Sequence, residues 1–446
     1  MKNLLKLFSV LIAAGFLFSA CEGPMGPAGK DGTNGINGAK GADGIDANET
    51  CKECHNPEMV DAVAVEFEMS KHNTGIVAEE EAGNKGCTPC HTSQAFRYVC
   101  ENNISSAFVL GSNGKYTNGY SSVATATLGA IDCFTCHNKL HTDGYTGSQM
   151  TMLTNTAAVS MTMWGGRADK IINLTQDGGM GNLCVKCHQP RPITKSAQDG
   201  NVLDYDSLKN FPALTFYDNA VGNKAPNRVL PSYRTHVHYG AVGAVFAGVG
   251  GIEFMGTLDY TSSRHATLAA CQNCHMATLN GVSGGHTFWA KGNFNGCNAT
   301  IDCHSADPIT ASSPKFTNTR STIKGLLDQL ADKINAVGAG TPILHSEPDA
   351  EANLWAGLTT GNWDGYLNIY DPGSNPAGVW KNPNPSSSWT QEQLDHNTAL
   401  TLTFPSLTNG QMGALINFQM CLREFSLGIH NTKYSTALLQ NSIDII

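Results

Sequence analysis

The sequence predicts a mostly irregular, loop-rich fold with short α-helices and little β structure. Three observations lie behind that expectation. Glycine and polar residues dominate residues 51–304, with little apolar periodicity to mark long helices or strands. The same stretch holds five strict C-x-x-C-H motifs: Cys51, Cys54 and His55; Cys87, Cys90 and His91; Cys133, Cys136 and His137; Cys184, Cys187 and His188; Cys271, Cys274 and His275. Two cysteines on so tight a turn can form thioethers to the two vinyl groups of one porphyrin, and the next histidine reaches the iron from one face. Third, such groups account for the sparse side-chain core. Covalently fixed porphyrins are large flat hydrophobes that replace much of the side-chain packing, so the fold is expected to be organised around haems.

At this chain's cysteine and histidine frequencies, chance would place only ~0.02 such motifs. A wider candidate follows at Cys297, Cys303 and His304, with five residues between the cysteines. Its loop must bulge to bring both sulfurs to the vinyls, and the alternative is a short disulfide loop beside a surface histidine. Structural zinc fits the pattern less well. Zinc ribbons use two cysteine pairs per ion with shorter, more regular linkers and no required histidine, whereas here every pair is followed by one. The expected cofactors are six haem c groups.

Taken in order, residues 1–20 read as a lipoprotein-type signal peptide, with Lys2 and Lys6 as its positive region and an apolar stretch too short to span a membrane. Phe18-Ser-Ala-Cys21 resembles a lipoprotein cleavage box, which makes Cys21 the expected lipidation site and the only membrane contact; the alternative is a plain signal with an incidental cysteine. Residues 21–47 then carry eight Gly-X-Y triplets, at 23–46. Glycine at every third position suits a collagen-like trimeric stalk, but two prolines stiffen it little, and a flexible charged spacer is the simpler reading.

Residues 48–304 form the expected multihaem core. A helix over 57–70, with Pro57 in its first turn, would deliver His72 at its end. The glycine-rich run 240–251 lacks G-x-G-x-x-G spacing and is not a nucleotide loop. Residues 305–446 carry no motif and are expected to pack on the core and supply a distal histidine. An amphipathic helix is expected over 322–337, with Ile323, Leu326, Leu327, Leu330 and Ile334 on one face. Four tryptophans follow (Trp355, Trp363, Trp380 and Trp389), for which burial is the commoner fate. Residues 409–446 read as two helices broken at 426–431, with Asn431 as a cap and His430 presented inward.

Formal charge is −9, so the mature chain, with about two propionates per haem added, is strongly acidic. That argues against nucleic acid and anionic membrane surfaces as partners. Of fifteen cysteines, the motifs and Cys21 leave Cys100 and Cys421, either a disulfide or two buried thiols. Beyond the six motif histidines there are nine more. The candidate distal ligands are His72, His141, His265, His286 and His430, with one of His236 or His238, while His345 and His396 read as ordinary loop histidines. Irons closed by two histidines change redox state with little rearrangement and do not readily bind substrate, so the inventory favours electron transfer over catalysis.

The Tyr260-Thr-Ser-Ser-Arg-His265 lead, the Gly284-Gly-His286-Thr-Phe288 segment and the ending from Gly428-Ile-His430-Asn-Thr-Lys-Tyr434 onward, taken with the haem motifs, resemble exported multihaem c-type cytochromes of bacteria. That group includes outer-surface hexahaem cytochromes that form extracellular filaments, and multihaem reductases. The resemblance implies stacked haems forming a continuous wire, a distal histidine contributed by a neighbouring subunit, redox partner proteins and an extracellular electron acceptor or donor. The wide motif and a lipid at Cys21 depart from the filament pattern. The expected function is outer-surface or extracellular electron transfer by a protein that is not an enzyme. The alternative is a multihaem oxidoreductase acting on a small nitrogen or sulfur compound at an open haem; no C-x-x-C-K occurs.

Overall fold

The computed structural model describes residues 57–75, 80, 87–102, 104, 108–110, 116–118, 129–137, 153–164, 169–191, 193, 203–216, 231–233, 235–299, 303–346, 363–383 and 385–446, with side chains described from residue 61 on except in the strands 108–110 and 116–118. Cys21, the Gly-X-Y triplets, the motif at Cys51, Cys54 and His55, His141 and Trp355 lie outside them. Residues 53–446 form one compact unit.

Its elements are mostly short. In order they are α1 (Pro57–Glu68), α2 (Lys71–Thr74), α3 (Thr88–His91), α4 (Ser93–Glu101), β1 (Phe108–Leu110), β2 (Tyr116–Asn118), α5 (Cys133–Cys136), β3 (Val159–Ser160), β4 (Ile171–Ile172), α6 (Gly181–Cys187), α7 (Tyr205–Asn210) and α8 (Val242–Ala247). Then come α9 (Arg264–Leu268), α10 (Cys271–His275), α11 (Asn295–Asn298), α12 (Pro314–Ala336), β5 (Leu344–Ser346), β6 (Trp363–Leu367), α13 (Gln391–Ala399), α14 (Asn409–Leu422) and α15 (Thr432–Ile445). The strands form three separate two-stranded antiparallel sheets, and only α12, α14 and α15 exceed a dozen residues among the described elements. The fold is therefore helix-rich, with long loops and little β structure.

The long helices build the main core. On α12, Ile323, Leu326, Leu327, Leu330 and Ile334 are all buried. The helix begins at Pro314, well before the apolar stripe. Proline suits the first helical position, and apart from Phe316 the opening two turns are polar and largely exposed, so they carry no amphipathic signal. Helix α14 is buried on every side. Around it collect Met161, Ile172, Phe216, Val245, Ile252 and Phe254 from the motif-bearing half of the chain, so an ordinary side-chain core unites the two halves. Trp363 and Trp380 belong to it as well.

Loops reach this core through side-chain amides rather than sheet ladders. Asn417 on α14 accepts from Ile252 N and donates to Ile252 O, both at 2.8 Å. Gln419 accepts from Val237 N at 2.9 Å and donates to Gly365 O at 2.7 Å. Asn431 caps α15, accepting from Tyr434 N at 3.4 Å, and also accepts from Ser263 N at 2.8 Å just before α9. Its amide group donates to Phe246 O and Ser262 Oγ, each at 3.2 Å. Asn431 thus ties α8, the start of α9 and α15 at one point. Asn431→Ala leaves several buried groups unpartnered and is expected to cost about 2–4 kcal/mol in urea unfolding. A loss under about 1 kcal/mol would show that water replaces the amide.

Cys100 and Cys421 are both free thiols, in different apolar clusters. Burial pushes the Cys100 thiol up to about 11 and the Cys421 thiol higher still. His345 and His396 are not in loops: His345 lies in β5 and hydrogen-bonds with Asp364 at 2.7 Å, and His396 lies in α13 against Tyr370.

Candidate functional site

Every described C-x-x-C-H motif folds into one helical turn, because its two cysteines and histidine span a single i to i+4 closure. The histidine N–H donates to the carbonyl of the first cysteine: His91 to Cys87 at 3.2 Å, His137 to Cys133 at 3.0 Å and His188 to Cys184 at 2.9 Å. The motif at Cys271, Cys274 and His275 is helix α10 itself. The wide motif closes on the same pair of groups, with His304 N donating to Cys297 O at 3.0 Å. Cys297 and Cys303 are free, which sets aside the disulfide loop.

The described motifs are contiguous. The Cys90 thiol lies beside that of Cys187, Cys184 beside Cys271, and Cys274 beside Cys297. Asp177 helps to hold two of them together. It accepts from Gly181 N at 2.7 Å at the start of α6 and from Gln272 Nε2 at 2.5 Å on α10. Cys136 packs with Cys187 and Leu183 in the smaller apolar cluster, which brings the motif at Cys133 alongside α6. At Gly243 the approach is close enough to require glycine: a Cβ there would lie 2.5 Å from His188 O.

Four motif histidines each face one other histidine at nearly the same distance. Ring centroids are 6.0 Å apart for His188 and His72, and 6.2 Å apart for His91 and His238, His275 and His430, and His304 and His265. Two imidazoles on opposite sides of one metal ion, with each nitrogen about 2.0 Å from it and each ring centre roughly 1.1 Å further back, have centroids roughly 6.2 Å apart. The observed spacing therefore leaves room for one ion between each pair. Three or more His, Cys, Asp or Glu side chains do not converge as a metal cluster anywhere among the described residues.

Burial holds His72, His188, His238 and His275 below the ordinary histidine value, which favours their neutral forms. Burial, helped by the surrounding histidines, lowers His188 to about 4; burial and then the Arg191 guanidinium lower His238 to about 3. His265 Nδ1 donates to Ile429 O at 2.7 Å, His275 Nδ1 to Phe288 O at 2.8 Å, and His430 Nδ1 to Glu424 Oε2 at 2.5 Å. With the proton on Nδ1, Nε2 is left with its lone pair. The backbone is strained where it presents these groups. Among the described residues, Phe288, Phe425 and Leu427 are three of the four non-glycine positions with positive φ, and all three lie in the segments that hold His275 and His430. Phe288 serves two pairs, since its ring also packs edge-on against His72 at 4.7 Å.

Between the two neighbouring candidates, the structure places His238 opposite His91 and puts His236 elsewhere. Arg423 Nη1 stands 2.5 Å from His236 Nδ1. Val237 O lies 3.0 Å from the same Nδ1, and the ring packs edge-on against Tyr366 at 4.5 Å, so among the described residues His236 is surrounded by Arg423, Val237 and Tyr366 rather than by a motif histidine. Arg423 is itself fully buried, with its guanidinium between Tyr239 at 4.3 Å and Tyr366 at 4.6 Å. Arg191 Nη2, by contrast, lies a loose 3.4 Å from His238 Nδ1.

His286 sits in a 3-10 turn, Gly285–Thr287, against α1, the helix that follows the first motif. Glu66 on α1 accepts from His286 N at 2.8 Å and lies 3.8 Å from its Nδ1. Arg423 and Glu424 were not marked by the sequence, although each lies within eight residues of the candidate ligand His430. Comparison of the chain with protein-family models, curated proteins and solved structures finds no match.

Proposed function

We propose that this chain is an exported multihaem c-type cytochrome that carries electrons along a row of six bis-histidine haems at the outer surface or outside the cell. The observation that carries this reading is the set of four pairings, each of a motif histidine with a non-motif histidine, at 6.0–6.2 Å. Iron porphyrin held by two imidazoles supplies a one-electron couple that needs little rearrangement.

In this reading, Cys87 and Cys90 hold a haem between His91 and His238, and Cys184 and Cys187 hold one between His188 and His72. Cys271 and Cys274 hold one between His275 and His430, and Cys297 and Cys303 one between His304 and His265. His286, tied through Glu66 to the helix after the first motif, serves His55, and His141 is left for His137. The contacts between motif sulfurs support neighbouring haems close enough for direct transfer. Phe288, bonded to one ligand and packed on another, supports continuity between two of them. Cys21 would anchor the protein by a lipid, and its partners would be redox proteins on one side and an extracellular electron acceptor or donor on the other.

Low-temperature EPR of the oxidised protein, quantified against haem content from a pyridine haemochrome assay, tests this. Six haems per chain, all low spin, is the expected result. One stoichiometric high-spin iron would overturn the closed conduit and turn attention to an enzyme with an open haem.

A further inference from the structure

The four histidine pairs are alike in spacing but not in what surrounds them. His430 alone among the eight rings gives its Nδ1 proton to a carboxylate at hydrogen-bonding distance among the described contacts, at 2.5 Å. That carboxylate, Glu424, has no exposed side-chain surface. It is held by four donors: Ser426 N at 3.2 Å and Gly428 N at 2.9 Å on Oε1, with Ser426 Oγ at 2.7 Å and His430 on Oε2. His265 and His275 donate instead to neutral peptide carbonyls. His238 has the opposite neighbour, the Arg191 guanidinium. The ring planes differ too. His275 and His430 are 15° from parallel, while the other three pairs cross at 72°, 76° and 87°.

Resting on the bis-histidine reading above, we propose that the haem held by Cys271, Cys274, His275 and His430 has the lowest midpoint potential of the four described, and that Glu424 sets it. A carboxylate that draws on the Nδ1 proton gives the imidazole imidazolate character and makes Nε2 a stronger donor, which favours the ferric ion. A buried negative charge acts in the same direction. The oxidised centre carries one net positive charge more than the reduced one, and in a site shielded from water that charge is stabilised by a nearby anion and opposed by a nearby cation. The same logic places the His91 and His238 haem, beside Arg191, at the upper end. Glu424 is a positioning and tuning residue, since it acts only through His430.

Ring orientation gives the spectroscopic handle. Parallel imidazole planes interact with the same iron d orbital and split the dπ pair, producing a rhombic low-spin EPR signal. Crossed planes leave the pair nearly degenerate and produce a strongly anisotropic signal with a very large gmax.

The test is a potentiometric titration of the full haem-loaded chain, followed by EPR and visible absorption, in wild type and Glu424→Gln. In wild type, rhombic intensity is expected to be the last ferric signal lost on reduction. In Glu424→Gln the lowest midpoint should rise toward the others while haem content and spin state stay unchanged. Rhombic signals reduced entirely before the large-gmax ones would overturn the proposal, even if the variant does not fold. So would a variant with six low-spin haems and an unmoved lowest midpoint. A wild-type protein without low-spin haems would instead overturn the underlying functional reading.

Discussion

Replacing His238 with alanine is expected to turn one haem in six from low spin to high spin, while His236→Ala leaves all six low spin. Both side chains flank Val237, which is fully buried, so the backbone is pinned in either variant. What separates them is their surroundings: Arg423 Nη1 stands 2.5 Å and Val237 O 3.0 Å from His236 Nδ1. His238 faces His91 across 6.2 Å. Its removal takes away one axial ligand without touching the thioether cysteines, so haem content should remain six while one iron loses half of its axial field. His236→Ala should act on stability instead. It strips one contact from a buried guanidinium, a loss of about 1–3 kcal/mol. EPR spin quantification and urea unfolding of the two variants check both halves. The reverse pattern, high-spin iron in His236→Ala only, would mean that Arg423 yields the ring to the iron.

That choice shows where the sequence stops being informative. The C-x-x-C-H motifs are legible because their chemistry is local, three side chains on one helical turn. The cap on α15 is legible for the same reason: Asn431 accepts from Tyr434 N within one turn. Distal ligands are set by long-range packing. Nothing near His72 indicates that it faces His188, and nothing near His236 indicates an arginine from the far end of α14. The side-chain core was under-read for a related reason. Met161, Ile172, Phe216, Ile252 and Phe254 are all but inaccessible, yet they enter the core from loops and a two-residue strand, where no period of 3.6 or 2 can accumulate. Porphyrins are therefore not needed to explain how the C-terminal half packs.

The second large effect is expected at Gly428, which opens the segment carrying His430. Its φ is +82°, and a Cβ added there would lie 2.5 Å from Ile323 Cγ1 on α12. Gly428→Ala therefore meets two penalties. Left-handed backbone costs a residue with a Cβ about 1–2 kcal/mol, and forcing a methyl into a filled core costs about 1–3 kcal/mol more. The expected loss is about 2–5 kcal/mol in chemical unfolding. Structure and ligation are coupled here, because Gly428 N donates to Glu424 Oε1 at 2.9 Å, and the same carboxylate receives the His430 proton. A shift of the backbone at Gly428 should therefore loosen His430 and disturb one haem signal, leaving the other five unchanged. The two penalties are separable with Ile323→Ala, which removes the clashing Cγ1 but not the φ requirement. In a double-mutant cycle the pair should cost less than the sum of the single losses by about 1–3 kcal/mol, the packing share. Full additivity would place the whole cost in the backbone and show that α12 moves aside without resistance.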